Sequence, residues 1–303
     1  MNSFYFVITN PDVEPLLKEE VRLRYPELKL SYSRPGFISF KGEIQEEFNP
    51  IFARLSGKFV GKFPAKELSF SKAWAWSRDP ELKLPEELVS LSESSLFKIG
   101  ETVTLIMKIE EDEYWVGEYK LRRTHFQTPG EVSPVIERDD VPSRAYYKIA
   151  EAYEALDIPF DNQEVVLELG SAPGGASLFL LEQDMRVLGV DPADMDERVK
   201  KFYDFKHLRM PFERITPETL KQEVDWIVSD INLPPTVVTK EVFRLLTFIE
   251  PKGILLTLKM NDQKHLELIA GIRQKMRNKG FDRVELKYLP SHRKEVALMA
   301  LRS

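Results

Sequence analysis

From Glu164 onward the apolar residues fall in compact blocks: Glu164 to Leu169, Arg186 to Val190, Asp225 to Ser229 and Gly253 to Lys259. Helical segments stand between them, near Gly174 to Gln183, Thr236 to Ile249 and Gln263 to Lys279. Short blocks that are apolar on both faces, alternating with helices, predict an α/β unit whose parallel sheet is covered on both sides. Runs near Val284 to Tyr288 and Val296 to Leu301 close that sheet. The first half reads differently. Phe4 to Thr9, Phe37 to Lys41, Thr102 to Ile109 and Tyr114 to Leu121 predict strands, the last two paired across Glu111-Asp112-Glu113, and Asp12 to Arg24 predicts a helix. That is an α+β pattern over residues 1–123. Thr124 to Pro142, with Pro129, Gly130, Pro134 and Pro142 and no apolar period, predicts a linker. The second domain then covers 143–303.

In open sheets of this class, ligands sit beyond the carboxyl ends of the strands, so residues following each strand carry the candidate chemistry. The first strand of the second domain runs into Glu168-Leu-Gly170-Ser171-Ala172-Pro173-Gly174-Gly175-Ala-Ser177 and then a helix. The pattern is neither the Gly-x-Gly-x-x-Gly of dinucleotide enzymes nor a P-loop, since no Gly-Lys-Ser/Thr follows. The next strand ends in Asp191, where an acid can bind both hydroxyls of a ribose. A glycine turn after one strand and an acid after the next predict an adenosine-type cofactor site. Taken alone, the glycine pair would be a plain tight turn. The fourth strand ends in Asp230 and the fifth in Lys259, while Lys148 lies on a helix opened by Pro142-Ser143, with Ser143 as the expected N-cap. Glu295 opens the last strand. Singly, Lys148 and Glu295 are commonplace surface charges, and Lys259 could equally snorkel from the sheet edge.

As a set they are not commonplace. SRAYYKI, ELGSAPGGAS, GVD, VSDI, LTLK and HRKEVAL resemble, in order and spacing, the FtsJ-type ribose 2′-O-methyltransferases, over about 160 residues. The domain order is similar to the large-subunit ribosomal RNA methyltransferase M subfamily, which methylates a cytidine ribose and has an N-terminal THUMP-containing RNA-binding region. PDVEPLLKEEV, IFAR and YWVGEYK are looser echoes of that region. The resemblance implies a Rossmann-like methyltransferase sheet, S-adenosyl-L-methionine as methyl donor and ribosomal RNA as partner. It implies a catalytic tetrad of Lys148, Asp230, Lys259 and Glu295, in which Lys259 is the candidate base, Asp230 orients it and Glu295 holds Lys148 or the ribose. The implied cofactor residues are Glu168, Gly170, Ser171, Ala172, Pro173, Gly174, Gly175, Asp191 and Asp230. One departure stands out: the family offers an Asp to the adenine after the third strand, where this chain has His207-Leu-Arg209-Met-Pro-Phe212.

Composition modifies this picture. The net charge of −6 excludes a bulk polybasic coat for nucleic acid. Basic groups are instead concentrated locally: residues 54–83 hold seven basic and three acidic residues among Phe59, Phe63, Phe70, Trp74 and Trp76, and Lys120-Leu-Arg122-Arg123 adds a second cluster. Such a mixture suits single-stranded RNA, although Trp74 and Trp76 read individually as core. Cysteine is absent and the four histidines (His125, His207, His265, His292) lack metal-ligand spacing, so neither disulfides nor a metal are expected. No basic, apolar leader and no long apolar run occur, which predicts a cytoplasmic protein without membrane or DNA partners. The alternatives weighed are a non-catalytic RNA-binding module and a small-molecule O-methyltransferase. A base-amine methyltransferase fits less well, because Asp230 is separated from Pro234-Pro235.

Overall fold

The computed structural model describes residues 3–111, 113–125, 135–261 and 264–302. The chain divides into two units, Met1–Val132 and Ser133–Ser303. Nearly half of the expected linker, residues 126–134, lies outside the described residues. Its two flanks are folded onto the units. His125 is buried in a short turn of the first, and Arg138 is held in the second by the Tyr147 hydroxyl, which both accepts from its amide at 2.8 Å and donates to its carbonyl at 2.5 Å.

Among the described residues of the first unit, β1 (Ser3–Ile8), α1 (Glu14–Arg24), β2 (Lys29–Arg34), β3 (Phe37–Gly42), β4 (Leu55–Phe63), β5 (Trp74–Ser77), α2 (Glu86–Ser94), β6 (Thr102–Glu110) and β7 (Glu113–Lys120) follow in order. The strands form one sheet in the order β2-β3-β1-β4-β7-β6-β5. The sequence reading missed β2, β4, β5 and α2. β2 is largely exposed, so it lacks the apolar alternation that would have marked it. β4 and β5 lie within the basic, aromatic stretch expected to meet RNA. There Trp74 and Trp76 belong to the core with Phe6, Phe37 and Trp115, and Phe59 and Phe70 lean on core clusters half-buried. Trp74 and Trp76 are thus core, as each reads individually in the sequence, while the packing of Phe59 and Phe70 corrects the expectation that the aromatics of this stretch as a whole are free to stack on bases. The cations of the stretch do reach the surface, but Lys62 is paired with Glu113 at 2.7 Å and Lys72 with Glu101 at 3.2 Å.

The second unit contains α3 (Ala145–Leu156), β8 (Val165–Leu169), α4 (Gly175–Glu182), β9 (Arg186–Val190), α5 (Glu197–Lys200), β10 (Phe205–Leu208), α6 (Pro217–Leu220), β11 (Trp226–Ser229), α7 (Pro235–Leu245), β12 (Gly253–Lys259), α8 (Lys264–Asn278), β13 (Arg283–Lys287) and β14 (Glu295–Leu301). The sheet order is β10-β9-β8-β11-β12-β14-β13. β8 to β12 are mutually parallel, and β14 inserts antiparallel between β12 and β13. β8 and β11 are buried along their whole length, and β12 for all but its final lysine. Chain order reverses between β8 and β11, and a crevice opens beyond their carboxyl ends at such a switch point.

Candidate active site

The turn after β8 is built for close approach of the chain to itself. Gly170 and Gly174 take φ of +71° and +114°, a region that side chains disfavour. A Cβ on Gly174 would come within 2.6 Å of Val199 on α5, and one on Gly175 within 2.7 Å of the Ser143 carbonyl. These glycines let the turn nest against α5 and the start of α3. Ser143 is not a side-chain cap: α3 begins at Ala145 with Arg144 as the cap residue.

Asp191 follows β9 and faces this turn. Its carboxylate accepts the Ala172 amide at 3.2 Å and the Ala193 amide at 2.8 Å, one bond to each oxygen. A carboxylate has about four lone-pair sites, so acceptor capacity remains on both oxygens for a diol. His207, at the place where an acid was missing, has its Nε2 2.9 Å from the Asp191 carbonyl, which requires Nε2 to carry the proton. Glu168 lies beneath the turn, fully buried, and accepts from the Ser177 hydroxyl. Burial pushes its carboxyl up to about 8, the nearby charges of Asp230 and Asp191 adding to that and the Ser177 bond opposing it. It is protonated at neutral pH.

Lys148, Asp230, Lys259 and Glu295 meet beside this turn. Lys259 and Glu295 are directly opposite in the β12–β14 ladder, so the pairing register itself puts their side chains together. Lys259 donates to Glu295 Oε1, and Lys148 Nζ lies 3.3 Å from the same oxygen. Lys148 also reaches both Asp230 oxygens, at 3.1 and 3.2 Å. Asp230 is therefore the partner of Lys148 and not the orienting group of Lys259, a place Glu295 takes. Geometry explains the exchange: the antiparallel return of β14 inserts Glu295 next to Lys259. Burial raises the Asp230 carboxyl, more than its Lys148 contact lowers it. For Glu295 burial is outweighed by the Lys259 hydrogen bond, the Arg293 amide and the Lys148 charge, which together hold it down to about 2.

Two supporting residues were missed from the sequence. Glu151, wholly buried on α3, accepts the Ser291 amide at 2.8 Å and its hydroxyl at 2.6 Å. It ties the helix of Lys148 to the loop that leads into Glu295. Its spacing of three from Lys148 on one helix is a signal that could have found it. His292 is buried in that loop, where burial drives its imidazole down to about 3, so it stays neutral. Among the described residues no group of three or more His, Asp or Glu is placed to hold a metal, and no helix is long and apolar enough to cross a membrane.

Comparison with known proteins gives this arrangement a context. The FtsJ-like methyltransferase family profile matches residues 141–297. The ribosomal RNA large subunit methyltransferase M of Photorhabdus sp. (strain Az29) is 28% identical over 171 residues, covering 52% of this chain and 46% of its own. The protein of the same name from Halorhodospira halophila is 26% identical over 167 residues, covering 54% and 48%. The chain thus spans about half the length of the curated relatives it matches. The solved structure of Aeropyrum pernix fibrillarin with bound S-adenosyl-L-methionine superposes with a TM-score of 0.40 at 15% identity, over 65% of this chain and 81% of that one.

Proposed function

Because the chain belongs to the FtsJ-like methyltransferase family, we propose that it methylates a ribose 2′-hydroxyl of large-subunit ribosomal RNA, at a cytidine, with S-adenosyl-L-methionine as donor. The observation carrying this reading is the convergence of Lys148, Asp230, Lys259 and Glu295 beside the glycine turn, from four separate elements. A ribosomal RNA acceptor also places the chemistry in the cytoplasm, and the first unit, THUMP-like in its echoes, is assigned to RNA capture.

The residues present fit the cofactor. Asp191 retains acceptor capacity for a ribose diol, and the Gly170 to Gly175 turn brings backbone close to it. Bound S-adenosyl-L-methionine supplies an electrophilic sulfonium methyl. What the chain supplies is proton removal and positioning. A ribose hydroxyl is a very weak acid, so its proton must be taken as its oxygen attacks. Lys148 is gripped by two carboxylates and Lys259, at the end of its strand, by Glu295 alone, which makes Lys259 the less encumbered of the two and the candidate base. Lys148, fixed by Asp230 and Glu295, holds positive charge beside the developing alkoxide.

The direct test is transfer of labelled methyl to ribosomal RNA from cells lacking this protein, followed by mapping of the modified ribose. Methylation of a cytidine 2′-oxygen in large-subunit RNA is expected; label on a base or on small acceptors alone would overturn the reading. A second expectation concerns the donor. Asp191→Ala removes charge-assisted hydrogen bonds worth about 1.5–3 kcal/mol each, so the dissociation constant for S-adenosyl-L-methionine should rise at least tenfold by calorimetry. Unchanged affinity in a folded variant would take Asp191 out of the site.

A further inference from the structure

Resting on the RNA-methyltransferase reading, we infer that the groove between α7 and α8 holds the phosphate backbone of the RNA strand outside the active site. The groove has a volume of about 540 Å³, and Lys240, Lys275 and Lys279 line it together with Phe243, Asn278 and Thr236. Among the described residues no acidic side chain lines it. None of the three lysines takes part in an ion pair among the described residues, unlike Lys200, which has Glu197 at 2.9 Å, and Lys252, which has Asp161 at 3.2 Å. In a chain of net charge −6, three uncompensated ammonium groups facing one cleft make a local anion site against the overall field.

Helix electrostatics explain only part of this. A helix dipole favours cations in its last turn, which accounts for Lys275 and Lys279 near the end of α8. It does not account for Lys240, which stands in the middle of α7 and faces the same groove. Nor does it explain the half-buried Phe243 ring 5.9 Å from Lys275 Nζ, an apolar floor on which a base or ribose could rest.

The groove is also in the right place. Thr236, at one end of it, lies in the first turn of α7, and a short loop connects that turn to Asp230 in the active site. From there α7 and α8 run back along the sheet. At about 1.5 Å per residue, the eleven residues of α7 extend roughly 16 Å. A strand leaving the active site over the loop would pass down the groove for a few nucleotides, its phosphates meeting the lysines in turn.

The test is binding of a labelled large-subunit ribosomal RNA transcript across a salt series, by wild type and by the triple variant Lys240→Gln, Lys275→Gln, Lys279→Gln. Every phosphate of a single strand that is no longer neutralised flattens the slope of log affinity against log salt by about 0.7, so about 2 is expected for three. KM for RNA should rise several-fold, while kcat at saturating RNA, cofactor affinity and thermal stability stay as in wild type. Lys240→Gln alone should flatten the slope by about 0.7, which keeps the test alive should the triple variant not fold. The triple arginine variant should restore wild-type binding. Unchanged slope and KM in the glutamine variants overturn the assignment, and so does competition by polyglutamate as effective as by RNA, which would give the groove to an acidic protein surface. Binding is read without methyl transfer. Wild type that binds RNA through these lysines but methylates no ribosomal RNA would therefore sink the functional reading and leave the groove standing, and the converse result would do the reverse.

Discussion

Replacing Lys259 by arginine should abolish methyl transfer while S-adenosyl-L-methionine still binds. General base catalysis contributes about 10²- to 10⁴-fold, and single-turnover rates with both substrates saturating should fall by that much in Lys259→Ala and in Lys259→Arg alike. The arginine variant is the informative one. A guanidinium keeps the positive charge and can still donate to Glu295, but it cannot lose its proton in a protein. If Lys259 merely clamps substrate or balances the charge of Glu295, arginine should retain much of the activity that alanine loses. Substantial activity in Lys259→Arg would therefore remove Lys259 as base and leave it a positioning role. Because the lysine is held from the ladder partner of its own strand end, neither substitution should disturb the Gly170 to Gly175 turn.

The second large effect is expected at Glu295, for stability as much as for turnover. Its carboxylate lies under two lysines with little solvent contact, so Glu295→Gln leaves both ammonium groups with one buried counter-charge fewer. Removing one member of a buried pair typically costs about 3–5 kcal/mol, which in a chain of 303 residues lowers the melting temperature by roughly 5–8 °C. The pH dependence has a definite sign. The carboxyl is held down to about 2 in the folded chain against an ordinary 4.5, so it adds stability above pH 4.5 that disappears as pH falls through about 2. A shift of that size corresponds to about 3 kcal/mol. Glu168 and Asp230, both raised by burial, act in the opposite sense: each favours the fold less as pH rises through its shifted range. Comparing wild type with Glu295→Gln cancels the contribution of Glu168 and leaves only the change at Asp230, whose carboxyl the Glu295 charge helps to raise. The gap in melting temperature should be wide at pH 7 and should close towards pH 2. A gap that is the same at both would mean the loss comes from packing and not from the ion pairs.

Strands buried on both faces write their identity into local composition, which is why β8, β9, β11 and β12 were legible to within a residue as compact, mostly apolar blocks. The same holds for the places of the glycine turn and of Asp191, since strands of such a sheet carry their turns at the carboxyl ends and a tight turn there calls for glycine. The half-exposed strands β2, β4 and β5 were not legible, because a strand with one solvated or irregular face shares its composition with a loop.

Charge partners lay still further from reach. Sequence order and resemblance marked Lys148, Asp230, Lys259 and Glu295 as a set, yet the pairs within it join residues 82, 147 and 36 positions apart. The insertion of β14 beside β12 assigns Glu295 to Lys259, and the docking of α3 leaves Asp230 to Lys148. The rings at Phe59 and Phe70 make the same point from the other side. An aromatic beside lysines fits a core or an RNA platform equally well on paper, and only the closing of a sheet over it decides which. Local pattern determines what a residue is able to do, because it depends on chemistry and backbone alone. Which partner it does it with is decided by long-range packing, where burial and register act on residues the chain does not place side by side.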